Sequence, residues 1–158
     1  MKKNFMQGIG FGITSGVITT LGLLVGLNSG THEKLAVIGG VIVIAIADAL
    51  SDAFGAHVSQ EAKEGHSIRS LWEISYSTFL TKLIVALTFV IPVLIFSLDL
   101  AVIIAVIWGM FLLGIFSYII AKNQKGNILG TIIEHISIGA IVVIISNYIG
   151  VFVRAYFG

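Results

Sequence analysis

Leu35 to Ser59 reads LAVIGGVIVIAIADALSDAFGAHVS. From Leu35 to Ala47 there is no charge, then come Asp48 and Asp52, and apart from His57 no further acid or base until Glu61. A helix on the surface of a soluble domain keeps a polar face along its length. This stretch is apolar all round except at the two aspartates. It is also long enough to cross the hydrocarbon core of a bilayer, which needs roughly 20 mainly apolar residues. Residues four apart project from one side of a helix. The stretch therefore reads as a membrane-spanning helix with two carboxylates on one side, and this decides the fold class.

Four more runs of the same kind flank it. Asn4 to Thr31 is uncharged, and Leu83 to Leu98 is apolar and reaches spanning length with the mixed stretch from Ile74. Leu100 to Ala121 is uncharged, and Gly126 to Val153 carries only Glu134 and His135. The prediction is an all-α integral membrane protein forming a single five-helix domain over residues 1–158, with helices near 4–28, 34–59, 74–97, 100–122 and 128–154. Composition agrees: 57% of the 158 residues are hydrophobic and 11% charged, with a mean hydropathy of +1.05. Soluble domains are about half apolar and a quarter charged, and a fold of this size has no interior large enough to hide the difference. Long continuous runs also exclude a transmembrane β-barrel, whose strands alternate. The chain has no cysteine, which excludes Cys-ligated zinc and iron–sulfur sites. A net charge of +1 gives no basic surface for nucleic acid. No G-x-S-x-G, H-E-x-x-H or phosphate loop occurs, so the reading is not an enzyme and no permanently bound cofactor is expected.

Lys and Arg set the expected orientation. Lys2, Lys3, Lys63, Arg69, Lys122 and Lys125 fall on one side, Lys34 and Arg154 on the other. The N-terminus is then cytoplasmic and the C-terminus outside. Lys82 is expected near the cytoplasmic end of the third helix, snorkelling to the interface. Lys2 and Lys3 before an apolar run resemble a signal peptide, but the run is long and lacks a small-residue cleavage site, so the first helix reads as retained. The charged stretch Gln60 to Trp72 is expected to extend the second helix towards Gly65. With no organelle address, the cell membrane is the default location. Gly8, Gly12 and Gly16 lie on one helix face and permit close approach. That face is expected to meet another helix, with a symmetry mate in a homodimer as one possibility. The bilayer itself is the remaining partner.

Asp48 and Asp52 are the principal candidates for chemistry. A carboxylate inside a bilayer costs roughly 2.5–3.5 kcal/mol on insertion scales and normally faces a polar cavity or a partner. Two on one side point to a shared cavity, an ion site or a proton relay; a solvated interfacial position is the alternative, above all for Asp52. Hard divalent cations take carboxylate oxygens, and Fe²⁺ and Mn²⁺ also accept imidazole. His57, Glu61 and Glu64 continue the stripe and read either as an acidic vestibule that gathers cations or as a solvated helix end. Glu134 and His135 read as metal ligands or proton carriers, or as a pair that snorkels to water. Thr14, Ser15, Thr19 and Thr20 place hydroxyls along the first helix, where the ordinary role is a bond to the carbonyl one turn back and a weak ion-ligand role is the alternative.

The segment Ala47-Asp48-Ala49-Leu50-Ser51-Asp52-Ala53-Phe54-Gly55-Ala56-His57-Val58-Ser59 resembles the A-D-A-I-S-M-G-L-G-x-Y-L-S signature of the vacuolar iron transporter family. Gly16 to Gly26 is similar to that family's D-G-x-x-T-x-F-x-L-x-x-G stretch. Pro92 falls at its I-P-L turn, and Ile138-Gly139 with Tyr148-Ile149-Gly150 at its last helix. The resemblance spans nearly the whole chain. It implies a five-helix dimer with a cytoplasmic N-terminus that moves Fe²⁺, and often Mn²⁺, out of the cytoplasm in exchange for protons. Two positions depart from the family. Ser15 stands where the family has an aspartate before the glycine, and Asp52 stands where it has a metal-contacting methionine. The long glutamate-rich cytoplasmic helices are reduced to Glu61 and Glu64. Taken together, the residue chemistry and the resemblance point to a metal site of Asp48, Asp52, Glu61, Glu64 and Glu134, with Ser15, His57 and His135 as further candidates. Two other readings stand beside it: a non-transporting membrane scaffold of the same fold, and a transporter of another small solute.

Overall fold

A computed structural model describes residues 2–63, 67–124 and 126–158. All regular structure among them is helical: α1 Lys2–Thr31, α2 Lys34–Glu61, α3 Ile68–Thr88, α4 Val90–Ile95, α5 Leu98–Gln124 and α6 Ile128–Phe157. Five segments are long and apolar enough to cross a membrane: Asn4–Thr31, Lys34–Glu61, Ile68–Ile95, Leu98–Gln124 and Ile128–Phe157. Large apolar side chains such as Ile46, Leu50, Phe54, Ile141 and Ile145 cover the outside, as a lipid-facing surface requires.

The third span is two helices. Pro92 has no N–H to give the carbonyl four residues back, at Thr88, and the helix breaks at Phe89. The Thr88 hydroxyl bonds the Val85 carbonyl at 2.6 Å and accepts the Trp108 indole N–H at 3.0 Å. Lys34 closes the end of α4, donating to the carbonyls of Leu94 and Phe96 at 3.4 and 3.0 Å. A cation at these orphan carbonyls also complements the helix dipole. At the other end α3 begins at Ile68, where Ser67 accepts a hydrogen bond from the Ser70 N–H. That start is well before the predicted 74. α2 ends at Glu61 with Ala62 as its C-cap, and Ala62 and Lys63 form a turn and bend, so the expected extension towards Gly65 is corrected: the helix stops four residues earlier.

α1 is the central helix, packed against α2, α3, α5 and α6. It carries two glycine ladders on different faces. A Cβ at Gly12 would sit 2.8 Å from the Thr78 carbonyl oxygen, and one at Gly8 2.5 Å from that of Ile74. This ladder seats α3. Further along, Gly22 and Gly26 face Val142 and Ser146 of α6, and a Cβ at Gly150 would meet the Gly26 carbonyl at 2.4 Å. The expected homodimer face at Gly8, Gly12 and Gly16 is thus corrected: the face does meet a helix, but it is α3 of the same chain, which leaves no room there for a second copy. The apolar core (Val17, Leu21, Leu24, Val37, Val41, Phe89, Val93, Leu113) fills the space between α1, α2, α4 and α5.

Candidate functional site

The α1–α3 seam holds an unexpected residue. Lys82 lies close to the midpoint of the Ile68–Ile95 span and is 1% exposed. The expectation that it snorkels to an interface is corrected, and the cause is the helix start. Begun at 74, the span puts Lys82 two turns from its end; begun at Ile68, it puts Lys82 in the middle. Gly16 gives the lysine stem its room, since a Cβ there would stand 3.3 Å from Lys82 Cγ.

The ammonium group turns towards α2, where the two aspartates point. Lys82 Nζ is 2.5 Å from Asp48 Oδ2 and also pairs with Asp52 Oδ2. It donates to Ser15 Oγ at 2.8 Å, and that hydroxyl donates to Asp52 Oδ2 at 2.5 Å. Asp52 is thereby doubly satisfied. Asp48 Oδ2 is buried and receives no aligned hydrogen bond, although the ammonium lies beside it. With all groups ionised, two carboxylates face one ammonium, so the cluster carries one uncompensated negative charge. The burial is lopsided. Lys82 is sealed, whereas the side chains of Asp48 and Asp52 are 25% and 22% exposed.

One helical turn away is a cavity of about 210 Å³ lined by Phe11, Ala56, Gln60 and Thr78, among others. Phe11, Ala56 and Thr78 are each four residues from Ser15, Asp52 and Lys82. A turn rises about 5.4 Å, so the cavity lies one turn along the same three helices from the cluster. Gln7 and Ser59 give it further polar walls.

Of the sequence candidates, the structure brings together Ser15, Asp48 and Asp52. His57 instead bonds Ser75 Oγ through Nδ1 at 3.1 Å and sits edge-on to Trp72. Glu61 is exposed at the end of α2, and Glu64 lies outside the described residues. Glu134 is exposed on α6. That helix packs on α1 and α5, across α1 from the cluster, so Glu134 and His135 do not join it. His135 bonds Ser117 of α5. Among the described residues no three His, Cys, Asp or Glu side chains converge on one point. The expected ligand set of Asp48, Asp52, Glu61 and Glu134 is therefore not one site. The arrangement can hold a cation transiently between two carboxylates and a hydroxyl, in competition with Lys82. No protein-family model and no curated protein matches the chain.

Proposed function

We propose that this chain is a secondary transporter that moves a divalent metal cation, Fe²⁺ or Mn²⁺, out of the cytoplasm in exchange for protons. Asp48 and Asp52 are the cargo ligands, and Lys82 is the counter-ion that holds them between cargoes. One observation carries the reading: the ammonium is sealed while both carboxylates it pairs with stay open by about a quarter. A buried ion pair repays its desolvation only when its geometry is excellent and further hydrogen bonds satisfy the remaining lone pairs. Here the acids keep an open face, Asp48 Oδ2 has the Lys82 ammonium beside it but no aligned hydrogen bond, and a cavity lined in part by Gln7, Ser59, Gln60 and Thr78 lies one turn along the helices. Desolvating a divalent ion is tolerable only where anionic oxygens replace its water. A site of two carboxylates and Ser15 suits a passing ion rather than a resident one. Without a methionine in it, the site favours harder cations such as Mn²⁺ over softer ones.

In this reading the end of the bundle that holds Gln7, Gln60 and Gln124 faces the cytoplasm, as the Lys and Arg distribution requires, and the cavity is the cytoplasmic entry. A second reading, the non-transporting scaffold, is favoured by one fact: the same cluster ties α1, α2 and α3 together. Flux separates the two. Proteoliposomes containing wild-type protein are expected to take up Mn²⁺ when the lumen is acidic, so that protons leave as the metal enters, and Asp48→Asn with Asp52→Asn is expected to abolish uptake. Equal uptake by the double variant and the wild type contradicts the transporter reading.

A further inference from the structure

A second cavity, which shares Gln7 and Phe11 with the first, opens towards α5 and α6, away from the charged cluster. It measures about 550 Å³ and is lined by Gln7, Phe11 and Thr14 of α1, Asn123 and Gln124 of α5, and His135 of α6, among others. The histidine is held in a defined state. Ser117 is fully buried, and its hydroxyl proton is committed to the Leu113 carbonyl at 2.5 Å. His135 Nδ1 lies 2.7 Å from the same oxygen. The serine has one proton and has already spent it, so the hydrogen on this contact comes from the ring. His135 is therefore the Nδ1–H tautomer when neutral, and its Nε2 is a bare acceptor. The bond made by one ring nitrogen sets the state of the other.

Nε2 has no protein partner among the described residues. Imidazole acceptors take hydrogen-bond donors and reject anions. No charged side chain among the described residues lines the cavity, so a charged guest would lose its water without a counter-ion. The lining pairs amide and hydroxyl groups with the apolar surfaces of Met6, Phe11 and Ile120. Pockets of this volume and mixture hold one small organic molecule. We propose that this cavity binds an uncharged, hydroxyl-bearing amphiphile, its head donating to His135 Nε2 and its apolar body lying along Phe11. The shared chemistry, a polyol head, is available from a membrane acylglycerol or from a water-borne polyol.

The test uses the full chain in phosphatidylcholine nanodiscs, with monooleoylglycerol and glycerol as probes. The ring ¹⁵N signals of His135 are assigned by their loss in His135→Phe. The expected result is an unprotonated Nε2 in the neutral ring that shifts on titration, with affinity, read for both proteins by calorimetry, about tenfold weaker in His135→Phe, the loss of one hydrogen bond. Ser117→Ala releases Nδ1, and the tautomer is expected to change. A shift with monooleoylglycerol alone supports the membrane source, and a shift with both supports the water-borne one. A protonated Nε2 in the neutral wild-type ring, no shift with either probe, or equal affinity in His135→Phe overturns the proposal.

Discussion

Lys82 is costly where it stands. A lysine sealed inside an apolar bundle is tolerable only beside carboxylates, and carboxylates half-way across a membrane are tolerable only beside a cation. Each side of the Asp48–Lys82–Asp52 cluster depends on the other, so removing one leaves uncompensated charge. Lys82→Gln is expected to lower stability by about 3 kcal/mol, the low end for breaking a buried pair because the acids are partly open. Mn²⁺ is expected to restore much of that loss by binding the folded state, measured as a thermal shift; destabilisation without metal rescue would count against a cation site. Ser15→Ala removes an acceptor for Lys82 and a donor to Asp52, and is expected to cost about 1–2 kcal/mol in the same assay. The two aspartates are legible in the sequence because charge in an apolar run is conspicuous and their spacing fixes a common side. Lys82 is not, because a lysine near a helix end and one in its middle differ only by where the helix begins.

The glycine ladders of α1 belong to the scale of helix pairs. Their four-residue spacing announces close packing, but spacing cannot say which helix arrives. Contact with Thr78 and Lys82 answers for Gly12. Gly12→Leu is expected to destabilise the fold by about 1–3 kcal/mol, as overpacking does, while leaving the detergent-solubilised mass unchanged. A change of oligomeric state at wild-type stability would restore the ladder as an intermolecular face. The break at Phe89 is legible from Pro92 through its missing N–H. The role of Trp108 in capping Thr88 is not, because it joins residues on different spans. Trp108→Phe is expected to lose about 1 kcal/mol in thermal unfolding, with the apolar packing kept.

At the scale of the molecule, five spans were readable from hydropathy alone because lipid demands long, internally bonded helices. Which helix is central was not readable, since every span is apolar. α1 takes that place because its two glycine-rich faces admit α3 and α6 at once. This arrangement puts Glu134 and His135 on the far side of α1 from the aspartates, where linear reasoning had joined them. Orientation is directly testable, because the chain has no native cysteine and single substitutions label cleanly. Glu33→Cys is expected to react with an impermeant maleimide from outside intact cells and Asn123→Cys only after lysis; the reverse pattern would invert the transport direction.

The decisive quantity is the Mn²⁺ affinity of Lys82→Gln beside that of the wild type, read by calorimetry on the purified full chain. A lysine that occupies the cargo's place must weaken cargo binding, so the variant is expected to bind at least about tenfold tighter, a gain of 1.4 kcal/mol or more. If neither protein takes up Mn²⁺, the aspartates hold the helices together and carry nothing.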